Sequence, residues 1–140
     1  VRTLGLDDEQ ASKVANAIGE IRHELASFHP RSLTTLCHGR LALEHVWVSE
    51  SGRDVVGLTG FENAQAMPPE IDLAWLLWME GIVNDEEATR ALYRGYGAAR
   101  TMDVQRREHF YMRLVALDAL YGRLGRIPMK VEEIVALITE

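Results

Sequence analysis

Four side chains able to handle protons or anions fall within eight residues: His38, Arg40, Glu44 and His45. A further carboxylate, Glu62, follows an apolar stretch. Arg40 is permanently cationic, with N–H donors and no acceptor. It can grip a phosphate or carboxylate through paired donors, and it cannot serve as a general base. The imidazoles of His38 and His45 can carry a proton near neutral pH. Glu62 or His45 can move a proton for a ligand held by Arg40. Two arrangements suit these residues. Arg40 can pair with Glu44 or Glu62 at the surface, for only ~0–1 kcal/mol, or it can point into a cleft and recognise an anion. The candidate catalytic residues are Arg40, His45 and Glu62. The candidate ligand-binding residues are the same three with Trp78, the tryptophan best suited to exposure or a partner contact. Trp47 and Trp75 read as packing between hairpin and helix.

The elements that must position this set are mostly helical. Asp7 and Gln10 are spaced as a reciprocal cap, and Val14, Ile18, Ile21 and Leu25 repeat on one face of a helix from about Asp8 to Phe28, closed by Pro30. After an apolar approach over residues 33–36, Val46-Trp47-Val48 and Val55-Val56-Gly57-Leu58 read as two strands of a hairpin, with Gly52 in the turn. So small a hairpin needs helices beneath its apolar face. Residues 59–69 read as loop, ended by Pro68-Pro69. Helices follow over 70–80, after the capping sequence Asn84-Asp85-Glu86-Glu87 (stripe Ala88, Leu92, Tyr96), from about Asp103 (Phe110, Leu114, Leu117, Tyr121, with Tyr111 and Val115), and after Pro128 (Val131, Ile134, Val135, Ile138). The expected fold is mainly α with one small β-hairpin, in a single domain over 1–140.

Three blocks carry a resemblance. Leu36-Cys37-His38-Gly39-Arg40 through His45-Val46-Trp47-Val48 resembles the catalytic loop of the aminoglycoside phosphotransferase and choline kinase-like family, His-Gly-Asp-x-x-x-x-Asn. Val56-Gly57-Leu58-Thr59-Gly60-Phe61-Glu62 resembles its metal loop, and Pro69-Glu70-Ile71-Asp72-Leu73-Ala74 its Pro-x-x-Asp-Leu-Ala motif. The resemblance implies a protein-kinase-like carboxy-terminal lobe, here as a remnant without the amino-terminal lobe. It implies that His38 is a strut for the loop and that Asp72 ties its helix to the His38-Gly39-Arg40 backbone. Arg40 stands where the family has its catalytic aspartate. His45 stands for the magnesium-binding asparagine, and Gly60 for the magnesium-binding aspartate. Phosphoryl transfer needs an oriented hydroxyl and neutralised phosphate charge, and magnesium prefers oxygen ligands. The resemblance therefore implies the fold and argues against the usual activity, with no cofactor and no metal site expected.

Composition narrows the partners. The chain has 140 residues, 47% apolar and 26% charged, with net charge -6. That suits a globular domain and disfavours binding to nucleic acid, which needs local positive charge. The row Arg106-Arg107 with Arg113 reads as solvated helix face. Cys37 is the only cysteine, so an internal disulfide is impossible and a cytoplasmic location is expected. Cys37 itself reads as a small buried hydrophobe. No apolar run approaches the ~20 residues that span a bilayer.

The leading functional expectation is a noncatalytic, kinase-like binding or regulatory protein, forming a homodimer or heterocomplex that covers exposed apolar surface. The alternative is a repurposed enzyme acting on a small anionic or amphipathic metabolite in the former acceptor cleft. A third expectation is residual phosphotransfer completed by a partner chain.

Overall fold

A computed structural model describes residues 5–27, 34–97, 101–121 and 129–139, with backbone alone for Ser27 and Asp103. The expected roles of Phe28, Pro30 and Pro128, the Asp103 side chain and part of the approach to the loop lie outside the described residues. The chain divides into two compact units, residues 1–32 with 109–140 and residues 33–108.

In the first unit, α1 (Asp8–Ser27) opens on the reciprocal cap: the Gln10 amide donates to Asp7 Oδ1 at 2.7 Å, and the Asp7 amide donates to Gln10 Oε1 at 3.1 Å. Its buried stripe is Val14, Ala17 and Ile21. Ile18 is only half-buried and Leu25 is exposed, so the covered face is narrower than four bulky residues suggested. α1 packs on α5 (Val131–Thr139), which buries Ile134, Val135 and Ile138. From α4 (Met102–Leu120), Phe110, Met112, Val115 and Ala116 are buried. Tyr121, expected at the end of that helix's apolar face, is exposed.

Arg113 on α4 corrects the expectation of a solvated face. It is buried, with its Nε donating to the Ile138 carbonyl at 2.9 Å and an NH2 donating to Glu20 at 2.8 Å. A guanidinium in the interior is tolerated because its donors are satisfied. Arg107 is held as well, its Nε donating to Glu70 at 2.9 Å.

The second unit carries two small antiparallel sheets. β2 (Val46–Val48) and β3 (Val55–Leu58) form the expected hairpin, with a bulge between Trp47 and Val48 that leaves Val55 and Val56 together near Val48. β1 (Thr35–Cys37) pairs with β4 (Gln65–Met67), inside the segment read as loop. Three residues without apolar alternation give no strand pattern, so this second sheet was invisible to periodicity.

The helix expected over 70–80 is a composite. α2 (Glu70–Ala74) passes into a π-helical segment over Trp75–Met79, whose wider turn buries Trp75, Leu76, Leu77 and Met79. Leu73 and Leu77 meet Tyr93 from α3 (Glu86–Tyr96), and Trp78, Ile82, Leu92 and Val104 close around them. Asp85 caps α3, accepting from the amides of Glu87 and Ala88 at 2.9 and 3.0 Å. The buried side chains of α3 are Thr89 and Tyr93, while Tyr96 is exposed, which turns the expected stripe by one position.

Two tryptophans exchange their expected roles. Trp78 packs on the Leu73–Leu77–Tyr93 core instead of facing solvent. Trp47 is 61% exposed and uses its indole N–H to donate to Thr59 Oγ1 at 3.3 Å. Val48, Val55, Val56 and Leu58 are exposed with it, so the hairpin's apolar residues do not rest on helices as expected. Apolar sequence shows what can be buried, and it does not show that a neighbour covers it. No helix among the described residues is long and apolar enough to cross a membrane.

Candidate functional site

The loop after β1 is held from below by one carboxylate. Asp72, in the first turn of α2, accepts from the His38 amide at 2.7 Å (Oδ2) and from the Gly39 amide at 2.9 Å (Oδ1). Hydrogen bonds to an ionised acceptor are shorter and stronger than neutral ones. This one locks two successive peptide units where the chain turns.

Gly39 permits that turn. Its φ is +82°, in the region that glycine occupies without cost, and a Cβ there would fall against the Asn63 carbonyl, 3.0 Å from its carbon. Asn63 ends the 3-10 turn Phe61–Asn63, so this turn and the loop touch at backbone level.

His38 is buried, and its Nε2 lies 2.7 Å from the Thr59 carbonyl. A carbonyl only accepts, which assigns the neutral ring's proton to Nε2. The Phe61 and His45 rings flank His38, at centroid distances of 4.8 and 5.3 Å. Asp72, expected to tie its helix to the loop, bonds two of the loop's amides, and His38 reaches out of the loop to Thr59.

Arg40, Glu44 and His45 come together. Glu44 Oε1 lies 3.6 Å from an Arg40 NH2 and 3.5 Å from His45 Nε2. Arg40 is largely covered (24% exposed), His45 similarly (20%), and Glu44 is the open member at 62%. The Arg40 guanidinium carbon also lies 5.9 Å from the ring centroid of Trp75, within the range of a cation–π contact. Trp75 was read only as core; its π-helical setting gave no sequence signal of a role beside the loop. Glu62 is exposed in the Phe61–Asn63 turn, and Trp78 belongs to the packed core described above.

His45 also faces Gly60. Gly60 has φ +80°, and a Cβ there would meet the imidazole at Nδ1, Cε1 and Cγ, the last at 2.8 Å. Real Cβ atoms do not approach this closely. Because Cγ is the root of the ring, rotation about χ2 leaves that contact in place.

Cys37 is buried beside the loop, its thiol donating to the Met67 carbonyl at 3.2 Å. Burial pushes the thiol up from its ordinary value, so it is a poor nucleophile, in keeping with its reading as a small hydrophobe. Among the described residues, no group of three or more His, Cys, Asp or Glu side chains is placed to hold a metal ion.

A profile of the phosphotransferase enzyme family matches residues 2–110. The chain belongs to the phosphotransferase enzyme family. No curated protein and no solved structure matches it. Membership agrees with the three sequence blocks, all of which lie within the matched residues.

Proposed function

We propose that this family member is a noncatalytic, kinase-like binding or regulatory protein whose altered catalytic loop holds the anionic group of a small ligand. The observation that carries the reading is the His45 imidazole lying against Gly60, with the Arg40 guanidinium beside it. Arg40 supplies no proton acceptor to an attacking hydroxyl. Gly60 brings no donor, and the ring of His45 takes the space that a carboxylate at residue 60 would need. Magnesium requires a near-octahedral set of oxygen ligands. The residues present do not fit it. What the site offers instead is positive charge on a pinned loop, suited to a phosphate or carboxylate.

Self-association belongs to the same proposal. Trp47, Val48, Val55 and Val56 are each more than half exposed on one hairpin. Exposed apolar clusters of this kind mark interaction surfaces.

The test has two arms. Titration calorimetry with inorganic phosphate is expected to give binding that Arg40→Ala abolishes. Incubation of the pure chain with magnesium, labelled ATP and a panel of alcohols and aminoglycosides is expected to give no phosphorylated product. A product whose formation requires Arg40 would falsify the noncatalytic reading.

A further inference from the structure

Glu44 reaches both Arg40 and His45. Its carboxylate stands between the Arg40 guanidinium and the His45 imidazole, 3.6 and 3.5 Å from them. Both distances are longer than the 2.7–2.9 Å of a charge-assisted hydrogen bond. Arg40 and His45 are largely covered, whereas Glu44 is mostly open to solvent. Such an arrangement holds the acid weakly, because the solvent around an exposed carboxylate screens its attraction to the guanidinium. It also marks the place where one oxyanion reaches both residues.

We propose that Glu44 is a resident, displaceable occupant of the oxyanion site formed by Arg40 and His45. An incoming phosphate or carboxylate replaces it, and affinity is set by that competition. The inference rests on the anion-binding reading of Arg40 and deepens it by adding regulation from within the loop. The geometry favours an oxyanion small enough to bridge the two side chains. A phosphate can offer two oxygens to the guanidinium and a third to the imidazole, which the single Glu44 oxygen does not match. Competition of this kind keeps weak monovalent anions out and admits ligands that engage both partners together.

The experiment compares Glu44→Gln with Glu50→Gln in the full chain, by calorimetric titration with inorganic phosphate and separately with acetate, at constant ionic strength. Glu50 is an exposed acid in the hairpin turn, so its replacement changes net charge equally without touching Arg40 or His45. Loss of a competing surface ion pair is expected to tighten phosphate binding by about fivefold in Glu44→Gln. Glu50→Gln is expected to leave it unchanged, and acetate is expected to bind more weakly than phosphate throughout. Circular dichroism melting checks that both variants keep the fold; unfolding of Glu44→Gln would itself overturn the proposal, since a weakly held occupant is not a structural support. Equal tightening in both variants would reduce the effect to net charge and overturn it as well. Binding that needs Arg40 and ignores Glu44→Gln removes the competition while leaving the anion site. Absence of phosphate binding even in Glu44→Gln removes both.

Discussion

The imidazole of His45 and the missing side chain of Gly60 are complementary: the ring takes the volume that a Cβ at residue 60 would enter. The two residues therefore form one packing arrangement. A cost follows for Gly60→Ala, in which backbone strain at φ +80° adds ~1–2 kcal/mol to ~1–3 kcal/mol of overpacking. Combining it with His45→Ala should return the overpacking part and keep the strain. Urea unfolding of the two single variants and the double variant checks this, and strict additivity would contradict the shared volume.

Asp72 is predicted to be the strongest single support of the loop. Asp72→Ala leaves the His38 and Gly39 amides without their acceptor, and two hydrogen bonds to a charged group are worth roughly 3–5 kcal/mol together. Asp72→Asn keeps one carbonyl oxygen and should fall between. Denaturant midpoints measure both. The expected order is wild type, asparagine, alanine, and equal loss in both variants would mean that only one of the two contacts matters.

The hairpin was legible because two apolar runs flank Gly52, and the tie from Asp72 to the loop because a short block with fixed spacing carried it. The reciprocal cap of Asp7 and Gln10 was legible for the same reason. The pairing of β1 with β4 was not, since Thr35-Leu36-Cys37 and Gln65-Ala66-Met67 carry no alternation. Arg113 misled because charge on a helix is read as solvation, while its donors find Ile138 and Glu20 on distant segments. Trp47 and Trp78 misled because burial depends on what packs opposite, which no local pattern encodes. The pairing of Arg40 with Glu44 was legible from the loop sequence; that the same Glu44 oxygen also lies 3.5 Å from His45 Nε2 needed coordinates.

Glu108 gives stability a pH dependence. Burial pushes its carboxyl from the ordinary 4.5 up to about 7. The folded state then holds a proton that the unfolded chain releases, so the contribution is complete below pH 4.5 and is lost as pH rises through about 7. From this group stability should fall by up to ~1.4 kcal/mol per pH unit across that window. Urea titrations at several pH values should show the decline, and Glu108→Gln should flatten it. A slope unchanged in the variant would assign the dependence to other groups.

Removing Arg113 should cost more than removing its carboxylate partner. Arg113→Ala deprives the Ile138 carbonyl of its donor and opens a gap in the interior, for about 2–3 kcal/mol. Glu20 is 69% exposed, so Glu20→Gln should cost less than ~1 kcal/mol. Thermal melts of the two variants distinguish this from a tightly coupled ion pair, in which both losses would be similar.

The exposed hairpin predicts particles of more than one chain. Light scattering on a concentration series should detect them, and Val55→Lys with Val56→Lys should shift the population towards single chains by placing charge on the open strand. An unchanged mass in the double variant would move the association surface elsewhere.

The contact between Gly39 and the Asn63 backbone has a practical reach. With no room for a side chain between them, a displacement on one side is expected to be felt on the other. Asn63 is solvent-facing, and the native thiol at residue 37 is shielded. A fluorophore attached through Asn63→Cys would then act as a remote gauge of events at Arg40, turning a structural pinch point into an optical readout.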